Sequence, residues 1–64
     1  MKWNELIKKL KKAGYVYLRA AKGSHEIWHH PDKPGSEIVI ANHGAKEIAR
    51  GLQASLLKHT GLKS

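Results

Sequence analysis

The sequence predicts an α+β fold in the order α-β-β-β-α, a three-stranded antiparallel sheet with both helices on one face. Two observations predict it. Apolar residues recur at helical spacing near both ends of the chain. Between them lie three short runs rich in β-branched or aromatic residues, separated by turn-forming residues. Strands this close in sequence pair antiparallel, and such a sheet can hold helices on one face and leave the other to water or a ligand.

In the first helix, Trp3, Leu6, Ile7, Leu10 and Ala13 nearly follow an i, i+3, i+4, i+7 rhythm and form one apolar stripe. Asn4 suits the N-cap and Glu5 the first turn. Lys8, Lys9, Lys11 and Lys12 crowd toward the far end, where cations meet the negative end of the helix dipole. Gly14 stands where a left-handed stop is wanted, which lets Tyr15 fold back on Leu10. Tyr15 to Ala21 reads as the first strand and His25 to His30 as the second, joined by a turn on Lys22-Gly23-Ser24. Pro31 to Gly35 is a second turn. Glu37 to Ala41 is the third strand, with Ile38 and Ile40 on one face and Val39 on the other. The last helix reads as Lys46 to Thr60, with Ile48, Leu52 and Leu56 facing the core. Gly51 costs about 1 kcal/mol there relative to alanine and moves the alternative start to near Ala49. Gly61 is a second stop, with Leu62 covering Leu57.

The whole chain, 64 residues, reads as one domain without linker or repeat. A domain of this size buries only about 60% of the surface its unfolded chain exposes, which argues against a large internal catalytic cavity. Twelve Lys+Arg against five Asp+Glu give a formal charge of +7, and a polyanion is the expected partner. With 41% apolar residues the chain is not a disordered basic tail. There is no cysteine, so disulfides, thiolate metal sites and a cysteine nucleophile are excluded. The longest strictly apolar runs are four residues, as at Tyr15 to Leu18, too short for a membrane span or signal-peptide core. A cytoplasmic protein is the plain reading.

The histidines are His25, His29, His30, His43 and His59. His29 and His30 are adjacent on a strand and point to opposite faces, and no HxH, HxxxH or HExxH spacing occurs, so no metal is expected. His59, near the end of the last helix, suits an ordinary surface role. His25 stands apart. It follows Gly23-Ser24 at a tight turn, where glycine permits close backbone approach and the amides and the Ser24 hydroxyl offer donors to a phosphate oxygen. A free imidazole titrates at about pH 6.5 and can take or give a proton near neutrality. Beside RNA it would take the proton of a 2′-hydroxyl attacking the adjacent phosphorus, or protonate the departing 5′-oxygen, with Arg19 or Lys22 offsetting phosphoryl charge. No metal or cofactor is needed. A plain turn residue with a polar ring is the other reading. His43 and His30 are the candidates for a second acid or base.

Trp28, Tyr15 and Tyr17 fit either base stacking or the core, and Trp3 reads as core. The helix-one lysines fit either a phosphate-binding or a solvated face. Taken alone, Met1 to Gly14 also has the pattern of a basic membrane-surface peptide. The sheet it must cover explains its stripe better.

Several residues together resemble one family. They are Gly14-Tyr15, Arg19, Lys22-Gly23-Ser24-His25, His30-Pro31, the Ile38-Val39-Ile40 strand with His43-Gly44, and Gly51 followed by Ser55-Leu56-Leu57-Lys58 and Gly61-Leu62. This ordered set, spanning nearly the whole chain, resembles the HicA family, mRNA interferase toxins of bacterial toxin–antitoxin pairs. It departs from the family's frequent pattern at Ala41-Asn42, where a proline is common, and at Leu52, where threonine is common. The resemblance implies a fold like the double-stranded RNA-binding domain and a ribonuclease that cuts mRNA without the ribosome. It implies that the histidine of Gly-Ser-His, here His25, is catalytic. It also implies a HicB-like antitoxin that covers this surface and carries a DNA-binding part. Lys22, Arg19, Gly23 and Ser24 are then the expected RNA contacts. The rival from another class is a non-enzymatic RNA-binding module of the same fold. Either way, the charge predicts that a protein partner is acidic and that its attraction weakens with salt.

Overall fold

The computed structural model describes residues 1–41 and 43–62; Asn42, one of the departures from the family pattern, lies outside the described residues. The elements are α1 (Trp3–Lys12), β1 (Val16–Ala20), β2 (His25–His29), β3 (Ile38–Ala41) and α2 (Arg50–Thr60). The order is the predicted one, and each strand is shorter than the sequence reading by one or two residues.

The sheet runs β1-β2-β3, both pairs antiparallel. Opposed residues share a face, and successive residues alternate. Trp28 opposes Ile38, and Glu26 opposes Ile40, so these four side chains share the inner face. Trp28, Ile38 and Ile40 join Trp3, Leu6 and Leu10 of α1 and Leu56 of α2 in one buried cluster, which puts both helices on that face. Leu6, Leu10 and Ile40 are fully buried, and each such side chain contributes about 1.5–3 kcal/mol. The α1 stripe is therefore spent on the sheet, as the sheet-covering reading of Met1 to Gly14 requires. Among the described residues no helix is long and apolar enough to cross a membrane.

The first helix starts earlier than its sequence suggests. Lys2, not Asn4, is the N-cap. The reason is tertiary. The Trp3 N–H donates to the Lys46 carbonyl at 3.1 Å and the Asn4 N–H to the Gly44 carbonyl at 2.9 Å. Free amides of the first turn are thus satisfied by a distant loop rather than by a capping side chain. Glu5 does act in the first turn, accepting the Lys2 N–H at 3.3 Å.

The far end of α1 closes as predicted. The Tyr15 N–H donates to the Leu10 carbonyl at 2.9 Å and the Gly14 N–H to that of Lys11 at 3.1 Å, the paired bonds of a Schellman stop. Leu10 and Tyr15 are both buried. Gly14 has φ 98°, and a Cβ there would lie 2.7 Å from Nε2 of His30. Gly14→Ala is therefore expected to cost about 1–3 kcal/mol. A thermal melt should show a drop of about 4–8 °C per kcal/mol. An unchanged melting temperature would refute this account of the stop.

The second helix differs from its sequence reading in two ways. It begins at Arg50 with Ala49 as its N-cap, the alternative start that Gly51 suggested rather than Lys46, so residues 46–49 are not helical. Ile48 is buried, but from the extended segment before the helix, where its N–H donates to the Met1 carbonyl at 2.9 Å. Leu52, expected to face the core, is 44% exposed. With Ile48 off the helix, the buried face is instead Leu56 and Thr60, flanked by half-buried Gln53 and Leu57, again an i, i+3, i+4, i+7 set. Gly61, at φ 73°, ends the helix as expected, and Leu62 and Leu57 both pack against the core.

Candidate nucleic-acid site at the β1–β2 turn

β1 is an edge strand, and all five of its residues are exposed. Its pairing with β2 shifts register between Tyr17 and Arg19, which makes a bulge at Leu18. Across the bulge Arg19 opposes Ile27, and Val16 opposes His29. On β2, His25 opposes Ala41 and Ile27 opposes Val39. These residues form the outer face, the one opposite Trp28 and Ile40. His25 joins this face. It and the turn residues Lys22, Gly23 and Ser24 are exposed, as is Arg19. Every residue singled out for RNA contact therefore sits at one solvent-facing end of the first hairpin.

The turn holds His25 in a defined way. The His25 N–H donates to the Lys22 carbonyl at 3.2 Å, closing a four-residue turn. Gly23 has φ 67°, and among the described residues none other than glycine has positive φ, the φ pattern of a type II′ turn with glycine first. The same Lys22 carbonyl lies 2.9 Å from Nδ1 of the His25 ring. A carbonyl has no proton to give, so Nδ1–H donates and the neutral ring keeps its lone pair on Nε2. The backbone of the turn thus selects the tautomer and leaves Nε2 as the proton-accepting atom.

The other histidines are placed differently. His30 lies toward the helix side. Its ring stands edge-on to Tyr15 at 5.5 Å, its Nδ1 accepts the Asp32 N–H at 3.2 Å, and Ser36 bonds its backbone at 2.8 and 3.1 Å. It packs the fold and does not converge with His25. His43 follows β3, whose end pairs with His25, and stands edge-on to Trp3 at 6.2 Å. It shares the end of the sheet with His25. His29 shares the outer face but lies four residues along the strand, about 13 Å away by strand rise. Among the described residues no three His, Asp or Glu side chains gather as a metal site.

Of the aromatic candidates for stacking, Tyr15 and Trp28 are core, and Trp3 is core as expected. Tyr17 remains 50% exposed, edge-on to Trp28 at 6.3 Å. It borders a groove of about 560 Å³ between α1 and β1, lined by Ile7, Lys11, Tyr15, Val16, Tyr17, Glu26 and Trp28. Sequence reasoning singled out every polar member of this groove except Glu26. Its signal was a carboxylate directly beside His25 on a strand of a basic chain.

Residues 3–62 match the family model described as the HicA toxin of bacterial toxin–antitoxin systems. Over 63 residues, 98% of either chain, the sequence is 40% identical to a probable mRNA interferase HicA of Pseudomonas fluorescens (strain Pf0-1). No solved structure matches the chain.

Proposed function

The chain belongs to the HicA toxin family, and from that premise we propose that it is a metal-independent endoribonuclease that cuts mRNA with His25 as its proton-transfer group. The observation that carries this reading is the 2.9 Å contact between Nδ1 of His25 and the Lys22 carbonyl, at an exposed hairpin end. A tautomer fixed by the backbone gives a general base without further partners.

In this mechanism Nε2 takes the proton of a ribose 2′-hydroxyl. The freed oxygen attacks the adjacent phosphorus, and the bond to the 5′-oxygen breaks. The products are a 2′,3′-cyclic phosphate and a 5′-hydroxyl, the latter protonated by water or by a second acid. Lys22 and Arg19 oppose the charge gathering on the phosphoryl oxygens, and the backbone at Gly23 and Ser24 approaches the strand. His43 is the candidate for the second acid, because it shares this end of the sheet. The proposed protein partner is a HicB-like antitoxin with an acidic surface, matching a chain of net charge +7.

Two features of the reaction test the proposal together. Purified protein should cut RNA in EDTA, and the fragments should end in 2′,3′-cyclic phosphate. A single 2′-deoxy substitution at a mapped cut should abolish cutting there. Loss of cutting in EDTA, or cutting that tolerates the 2′-deoxy position, overturns the mechanism. Tight binding with intact RNA would favour a non-enzymatic RNA-binding module instead.

A further inference from the structure

We propose that the groove between α1 and β1 is a nucleobase subsite, in which Tyr17 stacks on one base of the RNA and Glu26 accepts a hydrogen bond from that base's exocyclic amino group. The inference rests on the reading of this chain as an RNA-cutting enzyme and names which bases it prefers.

Three observations carry it. The first is Tyr17. A tyrosine on an edge strand that leaves half its surface to solvent, braced edge-on by buried Trp28, offers a fixed aromatic face. Such faces are what unpaired bases stack on. The second is Glu26. A strongly basic protein for a polyanion gains nothing electrostatically from a carboxylate in its groove. Glu26 nonetheless lies there, half-buried, with Oε1 accepting the Trp28 indole N–H at 3.0 Å. Among the described residues no cation pairs with it; nearby Lys11 instead holds its ammonium 6.0 Å from the Trp28 ring centre. The indole fixes the side chain, and the carboxylate keeps lone pairs for another donor. Adenine, cytosine and guanine carry an exocyclic amino donor, and uracil presents carbonyls in its place. The third is the rim. Lys11 joins Lys8 in a shallow cleft that continues along α1, beside Asn4, Ile7 and a Glu5 already engaged at the helix start. These lysines are placed to hold the phosphates of the strand whose base enters the groove.

The subsite also connects to the reacting centre. Glu26 follows His25 directly, so β2 sets the imidazole on the outer face of the sheet and the base acceptor on the inner face. Ala20 opposes Glu26 across the β1 edge, and its small side chain leaves the way between the two sides low. An RNA strand passing over the hairpin end would meet both. An acidic or apolar protein segment is the competing occupant. The lone carboxylate disfavours the acidic one, and an apolar one would cover the lone pairs that the Trp28 indole leaves free without giving them a donor.

The test reads binding, so it does not depend on catalysis. In a His25→Ala background, fluorescence titrations with short oligo(A), oligo(C) and oligo(U) would be compared. The proposal expects oligo(A) and oligo(C) to bind about fivefold or more tighter than oligo(U). Glu26→Gln should close or reverse that gap, because its amide keeps an acceptor for Trp28 and turns a donor toward the base. Its melting temperature should stay that of the parent. Tyr17→Leu should weaken all three by about tenfold, the scale of one lost stack. Equal binding of the three oligomers, or a gap that survives Glu26→Gln, overturns the proposal. So does unchanged RNA binding by Tyr17→Leu while binding to the purified antitoxin falls, which would make the groove a protein site. Failure of cutting with this pattern intact would fault the His25 mechanism alone.

Discussion

Replacing His25 by alanine is expected to lower RNA cutting by about 10²–10⁴-fold, the usual worth of a general acid or base, while changing stability by no more than about 0.5 kcal/mol, because the side chain is exposed. The separation of the two effects follows from geometry. The turn closes through the His25 backbone N–H and the Lys22 carbonyl, and neither is altered by truncating the ring. His25→Asn sharpens the point. Its amide can still donate toward the Lys22 carbonyl, as Nδ1–H does, but it has no basic nitrogen in place of Nε2. It should be as inactive as the alanine variant. His29→Ala is the control on the same face. At about 13 Å along the strand it cannot share the phosphate with His25, and it should retain activity within a few-fold. Initial rates on end-labelled RNA, with a melt on each variant, decide the matter. His25→Ala keeping a tenth or more of the parental rate, or His29→Ala losing as much as His25→Ala, would remove His25 from the chemistry.

How much of this was legible in the sequence depends on how local its cause is. The hairpin turn, the stop at Gly14 and the alternation of Ile38, Val39 and Ile40 are set by neighbours within a few residues, and they are found where the sequence puts them. The starts of both helices are not local. The loop around Gly44 and Lys46 satisfies the first amides of α1, and the Met1 carbonyl holds Ile48 extended, so Asn4 is displaced from the cap and α2 begins later. No window of sequence contains both partners of those bonds. The face of His25 was equally hidden, because β2 carries polar and apolar side chains on both sides. It is fixed by Trp28 meeting Ile38 on one side and Tyr17 on the other. The groove beside Tyr17 needs α1 laid against the β1 edge, so Glu26 had no visible role until the sheet was assembled.

The shift of α2 leads to the largest stability contrast expected in this molecule, between two chemically identical truncations. Leu10→Ala and Leu52→Ala each remove a leucine side chain from a helix whose sequence pattern points it at the core. Leu10 is fully buried, packs in the cluster with Tyr15 and Ile40, and lies at the Schellman stop. Its truncation leaves a cavity and should cost about 2–5 kcal/mol. A chain of 64 residues has a total stability of roughly 3–10 kcal/mol at the usual worth per residue. Leu10→Ala therefore removes a large fraction of the whole and leaves a measurable unfolded population at moderate temperature. Leu52 is 44% exposed, and its loss should stay within about 0.5 kcal/mol, with alanine's better helix propensity offsetting part of it. Urea titration followed by the emission of Trp3 and Trp28, both buried, reads the two variants on one scale. Equal destabilisation would mean that Leu52 does reach the core and that the helix begins before Arg50. A midpoint unchanged by Leu10→Ala would mean that α1 does not pack its stripe on the sheet, and the placement of the hairpin that presents His25 would lose its support.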